Sequence, residues 1–352
     1  MKLIWNVTWK CNLRCKHCAV YDSLMDKNNE LTLTEKIAVI DNAIKHNNLS
    51  SIEFLGGEPF LSSDFLQLYE YCQYKNLNVA IVTNGTLLTN FVIRDLLIKT
   101  QRPLRIIFSL DGPDECSNDK IRGHNSFKSC SQAISEIISV SQKFNKTNLI
   151  SISIACTINK INVNILYKYV ELCNYYKVNS LVISDLFDLG NVQNNEDLLK
   201  ISDNRIIMDN ILLLLEFYYN SRKNFSLSLI GFPKKIINHL NKKYSLNIDS
   251  QYNSCPLINN RIRIDPFGNV EKCDYLLANS ETSSIVKDIS YSFHNYNFNK
   301  FPMKELIHDI NRSFEKNYIL AKDLNCEFVN ECVTCLDFDM SKLRCDLCNL
   351  FV

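Results

Sequence analysis

No apolar run in the 352-residue chain approaches the roughly 20 residues that a membrane-spanning helix needs, so no transmembrane helix is expected. An excess of either charge is missing too. Lys and Arg total 39 against 38 Asp and Glu, a formal charge of +1, so bulk electrostatics favours neither a nucleic acid nor a membrane surface as partner. The local basic run Lys234-Lys235, continuing to Lys242-Lys243, reads as a solvated helix face. An export signal is also lacking, because the apolar run in Met1–Val7 is too short. Fifteen cysteines without such a signal argue against a disulfide framework. They imply metal ligation in a reducing, cytoplasmic setting. Hydrophobic content of 46% and charged content of 22% are those of an ordinary globular protein.

What is present is concentrated near the N-terminus, in Cys11-Asn12-Leu13-Arg14-Cys15-Lys16-His17-Cys18. Three thiols stand at C-x3-C-x2-C spacing. A four-iron cluster normally takes four thiolates, so three leave one iron open, much as a catalytic zinc keeps one position free. Half of a zinc site is the competing reading, although zinc sites usually pair C-x2-C units at a distance. The loop resembles the signature of the radical S-adenosylmethionine (radical SAM) superfamily. That resemblance implies a [4Fe–4S] cluster on Cys11, Cys15 and Cys18. Its open iron would chelate the amino and carboxylate groups of SAM, and one electron would cleave SAM to a 5′-deoxyadenosyl radical.

Along the first half, strand-like segments alternate with amphipathic ones. Strands are expected at Leu3–Thr8, Ser51–Leu55, Leu77–Val82, Leu104–Ser109, Leu149–Thr157 and Ser180–Ser184. Helices are expected at Thr34–His46, Asp64–Tyr74, Leu88–Lys99, Ser126–Phe144 and Val163–Tyr176, where apolar residues recur at i, i+3 and i+4. Alternation of this kind implies an α/β fold with a parallel sheet, and such sheets bind ligands beyond the carboxyl ends of their strands. Polar and glycine residues collect there: the cysteine loop, Gly56-Gly57-Glu58-Pro59, Thr83-Asn84-Gly85, Ser109-Leu110-Asp111-Gly112, Thr157-Ile158-Asn159, and Asp185 followed by Gly190.

The resemblance gives these positions expected roles. The fold it implies is a partial (β/α)6 TIM-like barrel with the cluster at this end. Gly56, Gly57, Glu58 and Pro59 look like the family's GGEP motif, which binds the SAM amino group. Glycines let a backbone approach a ligand, and a carboxylate suits an ammonium. Asn84, Ser109 and Asp111 are similar to positions lining the SAM and substrate cavity, although Asn-Gly and Asp-Gly are also turn formers in their own right. Arg122, in Asp119–Gly123, resembles an arginine that pairs with the SAM carboxylate; a surface arginine is the alternative. The Asn-rich patch Asn191–Glu196 reads as a linker or loop, Asp203–Asn220 as a helix, and Ser226–Phe232 as a further strand.

A second cysteine set comprises Cys255, Cys273, Cys326, Cys332, Cys335, Cys345 and Cys348. Asp265-Pro266-Phe267-Gly268-Asn269 reads as a hairpin turn ahead of Cys273. Cys255, Gly268 and Cys273 match the opening of the SPASM extension, a cysteine-rich appendage of many radical SAM enzymes that holds two auxiliary [4Fe–4S] clusters. The end departs from that pattern, with C-x5-C-x2-C-x9-C-x2-C spacing, and a zinc ribbon acting as an interaction module is the competing reading. Seven cysteines cannot fill eight ligand positions, so one auxiliary iron takes another ligand or stays open. The expected organisation is a radical SAM partial barrel over residues 1–190, a bridging helical region over 191–254 and a SPASM domain over 255–352.

The resemblance implies a peptide or protein substrate, modified by crosslinking or oxidation in the maturation of a ribosomally made peptide. The alternative enzyme is an anaerobic sulfatase-maturase-like oxidase that makes formylglycine from Cys or Ser. Asp274, after Cys273, is similar to the proposed general base of those maturases; a surface or hairpin Asp is the plainer reading. A flavodoxin or ferredoxin is the implied electron donor. No winged-helix domain precedes the barrel, so recognition of a leader peptide is expected to fall to a separate protein or to the extension. The remaining cysteines, Cys72, Cys116, Cys130, Cys156 and Cys173, lack metal-ligand spacing and read as small neutral residues.

Overall fold

The computed structural model describes residues 1–25, 29–221, 224–232, 234–248 and 261–271. Strand and helix alternate in chain order. They run β1 (Lys2–Thr8), α1 (Leu33–Asn47), β2 (Ser51–Gly56), α2 (Phe65–Tyr74), β3 (Asn78–Thr83), α3 (Asn90–Lys99), β4 (Leu104–Ser109), α4 (Glu115–Arg122), α5 (Ser126–Lys143), β5 (Ile150–Thr157), α6 (Lys168–Tyr176) and β6 (Ser180–Ser184). Then follow α7 (Glu196–Leu199), α8 (Asn204–Asn220), β7 (Ser226–Ile230), α9 (Lys234–Tyr244), β8 (Arg261–Ile264) and β9 (Val270–Glu271).

The sheet order is β7-β6-β5-β4-β3-β2-β1-β8-β9. Every pairing is parallel except β8 with β9. Consecutive strands lie side by side from β1 to β7, the winding of a partial TIM-like barrel. The six expected strands are all present. β7 falls at the further strand read in Ser226–Phe232, and β8 extends the sheet beyond six by pairing with β1 on its other flank. The turn between β8 and β9 is the anticipated hairpin: Asp265 Oδ1 accepts from the backbone N–H of Phe267 and Asn269.

Local chemistry sets the helix boundaries. Thr32 caps α1 in a reciprocal box with Glu35, and Thr89 caps α3, so that helix starts at Asn90 rather than Leu88. α4 went unrecognised as a helix because most of its residues are polar; Asp114 starts it by accepting from the N–H of Ser117.

Register keeps the two faces of the sheet separate. Trp5, Phe54, Ile81, Ile106 and Ile152 align across five strands. They pack with helix residues such as Ile40, Leu68, Leu96 and Ile137 in one core. Residues of the opposite parity are largely polar. Lys2 pairs with Glu53, Arg105 donates to Ser153 and Ser180, and Arg263 donates to Asn6. The inner face is thus unlike the apolar filling of a closed TIM barrel. It leaves a chamber whose upper rim is formed by the carboxyl ends of the strands.

Candidate active site at the cysteine loop

The cysteine loop leaves β1 at that rim and has little secondary structure of its own, so its neighbours position it. The residues after β2 run alongside it. Gly57 N–H donates to Thr8 O at 2.8 Å and Glu58 N–H to Lys10 O at 2.7 Å, prolonging the parallel pairing of β1 and β2 up to Cys11. A Cβ on Gly57 would stand 2.1 Å from the Lys10 carbonyl oxygen. What this glycine admits is the protein's own backbone.

Glu58 is wholly buried. Its carboxylate accepts from Thr83 Oγ1 at 2.8 Å, from Asn84 N–H at 2.8 Å and from Phe60 N–H at 3.3 Å. Asn84 in turn donates its amide to Asn12 Oδ1 at 3.1 Å, while Asn12 donates to Thr86 Oγ1 at 2.8 Å. Glu58 therefore ties the ends of β2 and β3 together and, through Asn84, steadies the cysteine loop. Burial pushes its carboxyl up to about 7, against these three donors. Pro59 is buried at the start of a short 3-10 turn.

A second clamp comes from the far side. Asn191 N–H donates to Cys18 O at 3.0 Å. Its side-chain amide donates to Cys15 O at 2.9 Å, and that of Asn195 to Lys16 O at 3.4 Å. Gly190 has φ +56, and a Cβ there would lie 2.4 Å from Cys18 O. The sequence places Gly190 at the ligand-side end of β6, but Asn191–Glu196 reads there only as a linker or loop; the available signal was amides directly after that glycine.

Behind the loop stands α4. Lys16 N–H donates to Ile121 O at 2.9 Å. The Arg122 guanidinium has Nε 2.5 Å from Asp111 Oδ2 and Nη1 4.0 Å from Cys15 Sγ. Asp111 also accepts from Thr157 N–H at 2.7 Å and has His17 Nε2 at 3.2 Å. Burial alone would raise the Asp111 carboxyl, but Arg122 and His17 beside it hold it below its ordinary value. Burial lowers His17 from its ordinary value, while Asp111 beside it pulls the other way.

These supports surround a cavity of about 260 Å³. Its lining includes Cys11, Cys15, Cys18, His17, Gly56, Gly57, Asn84, Ser109, Arg122 and Thr157. Of the site residues expected from sequence, Cys11, Cys15, Cys18, Gly56, Gly57, Asn84, Ser109 and Arg122 lie on this wall, and Glu58, Pro59 and Asp111 do not. Asp274 and the seven C-terminal cysteines, Cys255 to Cys348, fall outside the described residues. Cys72, Cys130, Cys156 and Cys173 are buried and Cys116 is exposed.

The donor set fits a cluster better than a single ion. Among the described residues no three such side chains converge on one point, whereas a cubane spreads three thiolates over three irons. Burial is the main cause that raises all three thiols, Cys15 to about 12 and Cys18 to about 11. They become thiolates when a cationic metal centre compensates the charge. His17 Nδ1 is a buried nitrogen with no hydrogen-bond partner among the described residues, at the wall of the same cavity.

Residues 5–153 match the Radical SAM superfamily. This chain contains a radical SAM domain. It is 31% identical over 248 residues to Fe-coproporphyrin III synthase of Methanosarcina barkeri, which covers 69% of this chain and 57% of that protein. It is 31% identical over 135 residues to a mycofactocin maturase of Mycolicibacterium smegmatis, 38% of this chain and 33% of that protein. The chain thus spans little more than half the length of the first relative and a third of the second. Among solved structures, Streptococcus suis SuiB bound to precursor peptide SuiA superposes with a TM-score of 0.61 at 17% identity, covering 87% of this chain and 64% of that one. Native anSMEcpe with bound AdoMet and a peptide superposes at 0.64 and 19% identity, covering 94% and 87%. These two likenesses show the fold alone. No helix among the described residues is long and apolar enough to cross a membrane.

Proposed function

We propose that this chain is a radical SAM enzyme that modifies a peptide, with SAM bound over a [4Fe–4S] cluster on Cys11, Cys15 and Cys18. The observation that carries the reading is the set of three half-buried thiols on one cavity wall, beside the backbone of Gly56 and Gly57 and the side chains of Asn84 and Arg122. A cluster bound there supplies the electron that cleaves SAM, delivered by a low-potential donor such as a flavodoxin or ferredoxin. The chain's own residues hold the loop, close its back with the Asp111–Arg122 pair and offer a polar chamber below for the substrate.

A peptide as substrate is supported by the mycofactocin maturase relative. A tetrapyrrole is the second reading, favoured by the longer alignment with Fe-coproporphyrin III synthase. Residues 255–352 are proposed as a SPASM domain with two auxiliary clusters, residues 1–190 as the catalytic barrel, and 191–254 as the region between them.

Anaerobic reconstitution tests the assignment. Three cubanes give on the order of 12 iron per chain. Replacing Cys11, Cys15 and Cys18 together with Ala should remove about a third of that and all SAM cleavage. Zinc near one per chain with about 4 iron would overturn the auxiliary clusters. Unchanged SAM cleavage in the triple variant would overturn the site. Titration of a precursor peptide encoded beside this protein, against an iron porphyrin, separates the two substrates.

A further inference from the structure

Arg122 is a largely buried cation whose guanidinium reaches a cluster thiol, and it is held more firmly than an arginine recruited only for a passing ligand would need. Its side chain is 12% exposed and its partner Asp111 1%. α4 carries it rigidly. Asp114 caps the helix, Asn118 accepts from the backbone of Asp111 and donates to Ser126, and Ile121 binds the backbone next to Cys15. Arg14, by contrast, is exposed and spends its guanidinium on the carbonyls of Cys11 and Leu13, where water and salt screen it.

We propose that Arg122 is a positioning residue that sets the reduction potential of the cluster on Cys11, Cys15 and Cys18, acting at Cys15 Sγ, with Asp111 as its counterweight. This rests on the functional reading above. Net charge and hydrogen bonds to the sulfurs set such potentials, and second-shell groups tune a metal centre. Reduction adds a negative charge to the cluster. A guanidinium 4.0 Å from a ligand sulfur favours that charge in a site of low dielectric, and the carboxylate behind it offsets part of the effect.

The two partners therefore make opposite predictions. The full chain is reconstituted anaerobically and titrated with dithionite and mediators. The midpoint is read by electron paramagnetic resonance from the spectral component missing in the Cys11, Cys15 and Cys18 triple Ala variant. Arg122→Gln should hold its iron and shift the midpoint negative by a tenfold or greater change in the reduced-to-oxidised ratio, about 59 mV for a one-electron couple. Asp111→Asn should shift it positive, and Arg122→Lys should fall between wild type and Arg122→Gln. Iron retained with the wild-type midpoint in Arg122→Gln overturns the inference, as do shifts of one sign in both variants. If Arg122→Gln loses its iron, the Asp111→Asn titration decides, a positive shift supporting the inference and no shift overturning it. A triple variant that keeps the wild-type iron and spectrum overturns the cluster reading itself.

Discussion

On the β2–β3 side, the cysteine loop meets paired backbones and one buried carboxylate. On the β6 side, it meets a left-handed glycine and the amides of Asn191 and Asn195. The first grip fixes Cys11 through strand-like pairing of Thr8 and Lys10 with Gly57 and Glu58. The second fixes Cys15 and Cys18 by hydrogen bonds to their carbonyls. Most of the first grip is continuous with the sheet, so it resists local opening; the second hangs from a 3-10 turn and a four-residue helix. The difference teaches that the loop has a rigid end and a more adjustable end, as a site that must accept a cofactor and a substrate requires.

The largest break in this comparison is expected at the glycines. A methyl at Gly57 meets backbone atoms of Lys10 at 2.1 and 2.6 Å, which no side-chain rotation relieves. Gly57→Ala should therefore displace the loop, lower stability by more than about 2 kcal/mol in urea unfolding and cut reconstituted iron to less than half of wild type. Gly190→Ala adds left-handed strain of about 1–2 kcal/mol to a clash with the Cys18 and Ala19 carbonyls, and it should do less because that clash falls on the softer end. Equal losses, or a greater one at Gly190, would reverse the ranking of the two grips.

A smaller and pH-dependent effect is expected at Glu58. Its folded value of about 7 lies above the ordinary 4.5, so folding favours the protonated form. That contribution is complete below pH 4.5 and is lost as pH rises through 7. Glu58→Gln stays neutral but presents an amide where only acceptors are wanted. It should melt below wild type at pH 5, with the gap narrowing by pH 8. A constant gap would show that the carboxyl does not titrate in this range.

The smallest effect is expected at Asn191. Asn191→Ala removes the side-chain bond to Cys15 O and leaves the backbone bond to Cys18 in place. A cost of about 1 kcal/mol corresponds to roughly fivefold faster iron loss to a chelator. Iron loss at the wild-type rate would remove the side chain from the second grip.

How much could be read in advance differs between the two grips. The residues of the first were legible because a motif places them in one run after a strand; the structure adds that Gly57 makes room for Lys10 and that Glu58 accepts from Thr83 and Asn84. The second grip lies about 175 residues from the thiols it holds, and the amide-rich stretch that forms it looks like any loop. Arg122 was noticed, but its pairing with Asp111 and its approach to Cys15 depend on how α4 returns to the rim.

The sequence by itself determined the alternation of strands and helices, the parallel sheet, the rim as the candidate place for chemistry and the three thiols proposed to bear it. Those follow from local periodicity and spacing, which every residue carries with it. Only the tertiary structure decided which side chains face the cavity and which stand behind it, that β8 closes against β1, and that two separate segments clamp one loop. Such facts arise from strand register and burial, and these exist only once distant parts of the chain have been brought together.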